Sequence, residues 1–302
     1  MQESILLFFQ RIAAPPLTTA AEIITMLGEQ FFFIVVIAFI YWTLSRKEGF
    51  KLASIFVFSA VVNGIIKIFV RSPRPFTRIE SLTPERLETA TSYAFPSGHT
   101  QGAASFFTTA ALILKRWWVT FIAALLMIAV GVTRVYLRVH WPLDAVTGLA
   151  VGVAIALGMN GIIEKLWSTP VKLRRFFFML ETLVFLITIT VFILHETVYA
   201  EGWMVEDFFK ASGMSLGLVA GFFLQERWIR FDPAEGSLLI KVLRYILGLG
   251  TTLGILLGLG AVFPERLWLD YLRYGIVGLW VAYVWPAAGV KSKLFRREAA
   301  ER

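Results

Sequence analysis

Two of the three histidines in this 302-residue chain stand among residues that together could hold and move a phosphoryl group. Lys67 is followed seven positions later by Arg74 and then Pro75. Pro96, Ser97, Gly98 and His99 occur in a row, and Arg134 is followed by His140 and Asp144. A phosphate ester carries up to two negative charges, and the transition state of its transfer spreads charge over the equatorial oxygens. Catalysis is then largely positioning and electrostatic stabilisation. Lys67 and Arg74 are two helical turns apart, so they are expected to share a helix face, with Pro73 and Pro75 ending that helix and leaving Arg74 at the membrane surface. Ser97 and Gly98 precede an apolar run, so their backbone N–H groups are expected to form an anion-binding helix start. Arg134 offers a bidentate fork to two phosphate oxygens. No His, Asp or Glu cluster has metal-ligand spacing, so no metal or cofactor is expected and cations take that part.

The elements that must position these residues are membrane helices. Hydrophobic residues make up 57% of the chain and charged residues 17%, with a mean hydropathy of +0.71. A soluble domain of this length would expose far more charge, so the class is an all-α polytopic helical membrane protein. There is no cysteine, hence no disulfide and no thiol chemistry. The net charge of +8 does not imply nucleic acid, because the basic residues fall in short segments between apolar runs. The first apolar patch, 5–9, is too short for a cleavable signal and is followed by Gln10, Arg11 and Pro15-Pro16.

Apolar runs predict nine spans, near 24–44, 51–70, 98–115, 117–137, 142–163, 176–194, 210–225, 239–262 and 268–288. Basic residues gather in alternate connections, for example Arg46, Lys47 and Lys51, then Lys165, Lys172, Arg174 and Arg175, and finally Lys291 to Arg297. The opposite segment, 195–207, holds Glu196, Glu201, Glu206 and Asp207 without a Lys or Arg. The positive-inside bias then puts the amino terminus outside, the carboxyl terminus inside, and both site-bearing segments, 71–97 and 134–141, outside. An interfacial helix is expected over 1–13. Glycines every fourth residue at 213, 217 and 221, and at 250, 254 and 258, predict close helix packing. His195 is expected to be a solvated residue of the acidic segment, Arg71 and Arg138 to be further external cations, and 76–95 to be a lid or a solvated loop.

The pattern Lys67-x6-Arg74-Pro75, Pro96-Ser97-Gly98-His99 and Thr133-Arg134-x5-His140-x3-Asp144 resembles the type 2 phosphatidic acid phosphatase family, which shares its site with bacterial acid phosphatases and vanadium haloperoxidases. Thr133 stands where the family usually has serine. The resemblance covers roughly 50–165. It implies a membrane phosphatase core over 1–170, with additional transmembrane helices over 171–302. It implies that His140 is the nucleophile, that Asp144 holds its other ring nitrogen, and that His99 protonates the leaving oxygen and later activates water. Lys67, Arg74, Ser97, Gly98 and Arg134 would hold the phosphoryl oxygens.

The implied substrate is a lipid phosphate or diphosphate at the outer face of an inner membrane, such as undecaprenyl diphosphate, phosphatidylglycerophosphate or phosphatidic acid. Nine spans with an external amino terminus are also similar to the glucose-6-phosphatase branch, which would imply a soluble sugar phosphate. A transporter or lipid-binding scaffold with a vestigial site is a non-enzymatic alternative, disfavoured by the intact nucleophile, acid and cation set. A vanadate-dependent haloperoxidase is more remote.

Overall fold

Apolar runs free of interior prolines become helices along almost the whole chain. The computed structural model describes residues 1–198 and 203–298; Glu201, in the acidic segment, lies outside them. In chain order the helices are α1 (Gln2–Arg11), α2 (Pro15–Met26), α3 (Gln30–Thr43), α4 (Arg46–Val70), α5 (Gly98–Leu114), α6 (Trp117–Tyr136), α7 (Pro142–Trp167), α8 (Pro170–Val198), α9 (Trp203–Trp228), α10 (Leu238–Val262), α11 (Leu267–Leu279) and α12 (Trp285–Lys291). A π-helical turn, Trp280–Val284, joins the last two. Two short strands, β1 (Phe231–Asp232) and β2 (Arg296–Arg297), pair antiparallel. Helices α2, α7 and α8 begin on proline, whose missing N–H costs nothing in a first turn. Helices α5 and α10 begin behind Ser97 and Ser237, whose hydroxyls accept from the backbone N–H three residues on.

A helix lies at each of the nine expected spans. Among the described residues six are long and apolar enough to cross a bilayer: α4, α6, α7, α8, α9 and α10. A seventh is the pair α2 and α3, bent by 42°. The bend falls at Leu27 to Glu29, where a Cβ on Gly28 would come within 2.7 Å of Val130 Cγ1. Helix α5 has only 17 residues, and the last expected span is divided by the π turn.

The chain forms two compact units. One comprises 1–33, 59–162 and 203–208; the other comprises 34–58 and the described parts of 163–202 and 209–302. In the first, α5 and α6 form a hairpin joined at Lys115 (φ 50°) and Arg116, with α1 and α2 against α6. The expected interfacial helix is α1, whose Leu6 is fully buried with Leu82, Val135 and Ala145, while Phe8 and Ile12 are exposed. Gln10 ties α1 to Ser81 O (2.8 Å) and Thr83 N (2.8 Å). Rings from α3 and α5 pack together, with Phe33 and Phe106 tilted by 40° and their centroids 4.8 Å apart. Helix α7 meets α5 through glycines: a Cβ at Gly148 would lie 2.7 Å from Ser97 O, and one at Gly152 would lie 2.5 Å from Gln101 O. That close approach fixes where Ser97 sits.

In the second unit the two expected glycine faces differ. Gly213 and Gly217 of α9 abut the backbone of α11 at Tyr271 and Gly275. Among the described residues nothing lies within 4 Å of a Cβ added at Gly250, Gly254 or Gly258 of α10, so the expected packing there is not made among them. The side chains that α10 buries, Arg244 and Thr252, lie with Gly248 on a different face. Lys47 and Lys51 both pair with Glu164, so the basic residues of this region are not free surface charge.

Gly152→Val should therefore destabilise the detergent-solubilised protein by about 1–3 kcal/mol through overpacking, while Gly254→Val should leave its thermal midpoint unchanged. Thermal unfolding of the two variants, compared with wild type, checks this.

Candidate active site

Helix α4 stops at Val70, earlier than the prolines alone require, because Arg71 takes a left-handed conformation (φ 51°). Arg74 then lies in extended backbone ahead of a short 3-10 turn. Lys67 and Arg74 thus do not share a helix face, as their spacing suggested. They converge instead on a third residue. Lys67 Nζ donates to Ser92 Oγ at 2.7 Å, and Arg74 Nε donates to Ser92 O at 2.8 Å.

His140 lies in the turn between α6 and α7. Arg74 Nη1 lies 2.9 Å from His140 Nε2 and also donates to Val139 O at 2.9 Å. A guanidinium only donates, so Nε2 carries the lone pair and Nδ1 carries the hydrogen. That Nδ1–H faces Asp144 Oδ2 at 3.3 Å, an oxygen fixed by Trp141 N–H at 2.8 Å. Asp144 lies in the first turn of α7, so the H-x3-D spacing spans a turn and a helix start. Burial, followed by the fields of Arg74, Arg134 and Lys67, holds the His140 imidazole well below the ordinary pKa of 6.5. It is neutral at pH 7, with its lone pair on Nε2.

Ser97 caps α5, its Oγ accepting from Thr100 Oγ1 at 2.9 Å. Its backbone N–H donates to Asp144 O at 3.0 Å. The expected use of that N–H for an anion is thereby corrected: the bond ties the helix start to α7. The Ser97 hydroxyl hydrogen and the N–H groups of Gly98 and His99, in the first turn of α5, remain to face a ligand. A Cβ on Gly98 would lie 3.3 Å from Asn63 Oδ1 and 4.0 Å from Lys67 Nζ. Glycine there keeps the cation close to the helix start. His99 Nε2 is buried and unpartnered among the described residues. Arg134 is fully buried, donating to Thr25 Oγ1 (3.3 Å) and Thr89 Oγ1 (3.1 Å), with its Nε unpartnered among the described residues. Thr133, at the position of the usual serine, turns its hydroxyl to Val130 O at 2.8 Å.

Several neighbours escaped sequence reasoning. Asn63, one turn before Lys67, donates to Pro96 O and to Gln101 Oε1, and Gln101 donates to Ser59. Their signal was present: a polar pair inside apolar helices. Ser92, Thr25 and Thr89 had none. Segment 76–95 is a loop with many exposed residues, such as Arg78, Glu80 and Glu88, that is anchored at several points. Arg138, itself buried, donates to Thr83 O at 2.6 Å and Glu85 Oε1 at 3.1 Å. Arg86 bonds Glu29 and Glu22 O. Arg71 is exposed, its Nε bonded to Ile68 O. His195 is half-buried at the end of α8 rather than solvated.

Among the described residues no three His, Asp or Glu side chains converge as a metal site would require. What converges is a neutral imidazole, a second histidine and three cations, an arrangement suited to transferring a phosphoryl group through nitrogen.

Comparison with known proteins agrees with this chemistry. Residues 48–168 match the family described as PAP2 superfamily, and 209–299 match the PAP2 superfamily phosphatase, transmembrane extension. The chain is 29% identical to an undecaprenyl-diphosphatase of Sulfolobus acidocaldarius over 40% of its length and 61% of the relative's. It is 36% identical to a lipid A 1-phosphatase of Rhizobium johnstonii over 27% of this chain and 37% of that one. The matched region is thus about three fifths or less of these relatives' length. Among solved structures it is similar to the first transmembrane PAP2 type phosphatidylglycerolphosphate phosphatase from Bacillus subtilis (TM-score 0.47, 26% identity, 54% of this chain and 85% of that chain).

The lowered His140 pKa gives a signed expectation. The folded protein resists protonating this ring, so its contribution to stability is present above pH 6.5 and is lost as pH falls below it. Nitrogen-15 NMR of histidine-labelled protein should find His140 as the neutral Nδ1–H tautomer at pH 6.5. An imidazolium there would contradict the assignment.

Proposed function

We propose that this chain, whose residues 48–168 are a PAP2 superfamily domain followed by a PAP2 transmembrane extension, is an integral-membrane phosphatase hydrolysing a lipid phosphate or diphosphate. The observation that carries this reading is the His140 ring, with Asp144 behind Nδ1 and the Nε2 lone pair directed at Arg74.

A phosphoryl group would take the place that Arg74 Nη1 now occupies beside Nε2, with Lys67, Arg74 and Arg134 on its oxygens and Ser97 Oγ and Gly98 N donating to them. Nε2 attacks phosphorus, the bond to the leaving oxygen breaks, and His99, held as the imidazolium by the negative charge of the bound phosphate, supplies that oxygen's proton. Asp144 stabilises the positive charge on the phosphorylated ring. His99, now a base, takes a proton from water. The water oxygen attacks phosphorus, the P–N bond breaks, and inorganic phosphate leaves with His140 neutral again. Cations neutralise the charge throughout.

Lipid is preferred over soluble sugar phosphate because the relatives are named for undecaprenyl diphosphate and lipid A. The charge pattern orients the site to the extracytoplasmic side, across nine spans if α5 and the α11–α12 segment also cross.

Purified protein should release phosphate from lipid diphosphates or monophosphates in preference to glucose 6-phosphate, be inhibited by vanadate, and be unaffected by EDTA. His140→Ala should abolish turnover, and Arg134→Ala should lower kcat about a hundredfold, the ~3 kcal/mol of one stabilising donor. Equal phosphate release by wild type and His140→Ala would sink the proposal, and loss of activity in EDTA would refute the cation-only mechanism.

A further inference from the structure

We propose that Ser92 and Asp207 form a positioning relay that holds the phosphate-binding pair Lys67 and Arg74; the inference rests on the phosphatase reading of the site. Lys67 Nζ donates to Ser92 Oγ at 2.7 Å, and the Ser92 hydroxyl donates onward to Asp207 Oδ2 at 2.9 Å. The carbonyl of the same serine accepts from Arg74 Nε at 2.8 Å. One residue, 3% exposed, therefore holds both cations, one through its side chain and one through its backbone.

The serine is itself fixed. Ala94 N–H bonds Ser72 O at 2.9 Å, pinning the chain after Ser92 to the stretch that leads into Arg74. Asp207 is fixed by α9, whose Phe208 lies against α4 so closely that a Cβ on Gly64 would come within 2.8 Å of Phe208 Cβ. Gly64 precedes Lys67 by three residues, so this approach sets the carboxylate's place beside the cation.

A hydroxyl offers its lone pairs to a cation best when its own hydrogen is directed elsewhere. The Asp207 carboxylate supplies that direction and polarises the O–H, so the three groups strengthen one another. Without it the hydroxyl is free to turn its hydrogen toward the ammonium. Neither Ser92 nor Asp207 reaches phosphorus in this scheme, so both are positioning residues. Asp207 stands just before the matched transmembrane extension. A residue beyond the PAP2 domain thereby completes the phosphate-binding pair.

Asp207→Ala and Ser92→Ala should each lower kcat/KM about tenfold, the effect of one charge-assisted hydrogen bond, and weaken vanadate inhibition by a similar factor. Ser92→Thr should restore most of the loss. In a Lys67→Met background, adding Asp207→Ala should change nothing further, because the relay acts through that lysine. Binding of inorganic phosphate by calorimetry, weaker for Asp207→Asn than for wild type, reads the relay without turnover and so separates its failure from that of the phosphatase reading. Wild-type phosphate and vanadate affinity in Asp207→Asn, or equal losses with and without Lys67, would overturn the proposal. A purely structural role would lower thermal stability in both backgrounds and leave phosphate affinity of the folded fraction unchanged, which also overturns it.

Discussion

Lys67, Arg74 and Arg134 are buried in one site, and their mutual repulsion is the constraint around which the surrounding residues are arranged. Two like charges ~6 Å apart repel by roughly 3 kcal/mol at an effective dielectric of about 20. Each cation is therefore surrounded by acceptors: Ser92 and Val139 carbonyls, the hydroxyls of Thr25, Thr89 and Ser92, and the Asp207 carboxylate behind the serine. Most of these acceptors are neutral. They satisfy hydrogen bonds without cancelling charge, so the cations keep a field suited to an anion. Burial first, and the same field after it, keep the His140 imidazole unprotonated.

Holding such a cluster requires the elements that carry it to be locked together. The Ser97 N–H to Asp144 O bond joins the start of α5 to the start of α7, and Gly148 and Gly152 let the two helices approach closely enough to make it. His99 and Asp144 thus stand at two helix starts that this bond ties together. Segment 76–95 is held by Arg86, Arg138 and Gln10.

The chemistry was legible because it depends on residue types that an apolar chain does not otherwise keep. Lys67, Arg74, His99, Arg134, His140 and Asp144 were each visible as polar exceptions, and the apolar runs located the helices. What escaped was whatever depended on backbone geometry or long-range pairing. The left-handed turn at Arg71 could not be inferred from Arg-Ser-Pro-Arg, so a shared helix face for Lys67 and Arg74 was expected and not found. Ser97 N–H was assigned to an anion because helix starts usually are free, and only the fold supplies the competing carbonyl of Asp144. Ser92 and Asp207 are 115 residues apart, and nothing in either local sequence announces the bond. The glycine faces at 213–221 and 250–258 read identically, and among the described residues only the first meets a neighbour.

Helix α5 has 17 residues, and at ~1.5 Å per residue it is about 26 Å long, short of a hydrocarbon layer about 30 Å thick. Its far end is the basic tip at Lys115 and Arg116, which belongs at an interface. If α5 crosses the bilayer, as the proposed nine-span reading requires, His99 at its other end lies several ångströms short of the opposite interface. For the proposed lipid phosphatase, either the bilayer thins locally around this hairpin, or the lipid sinks to bring its headgroup within reach. On that proposal, membrane thickness becomes a determinant of how easily a lipid's phosphate reaches His99.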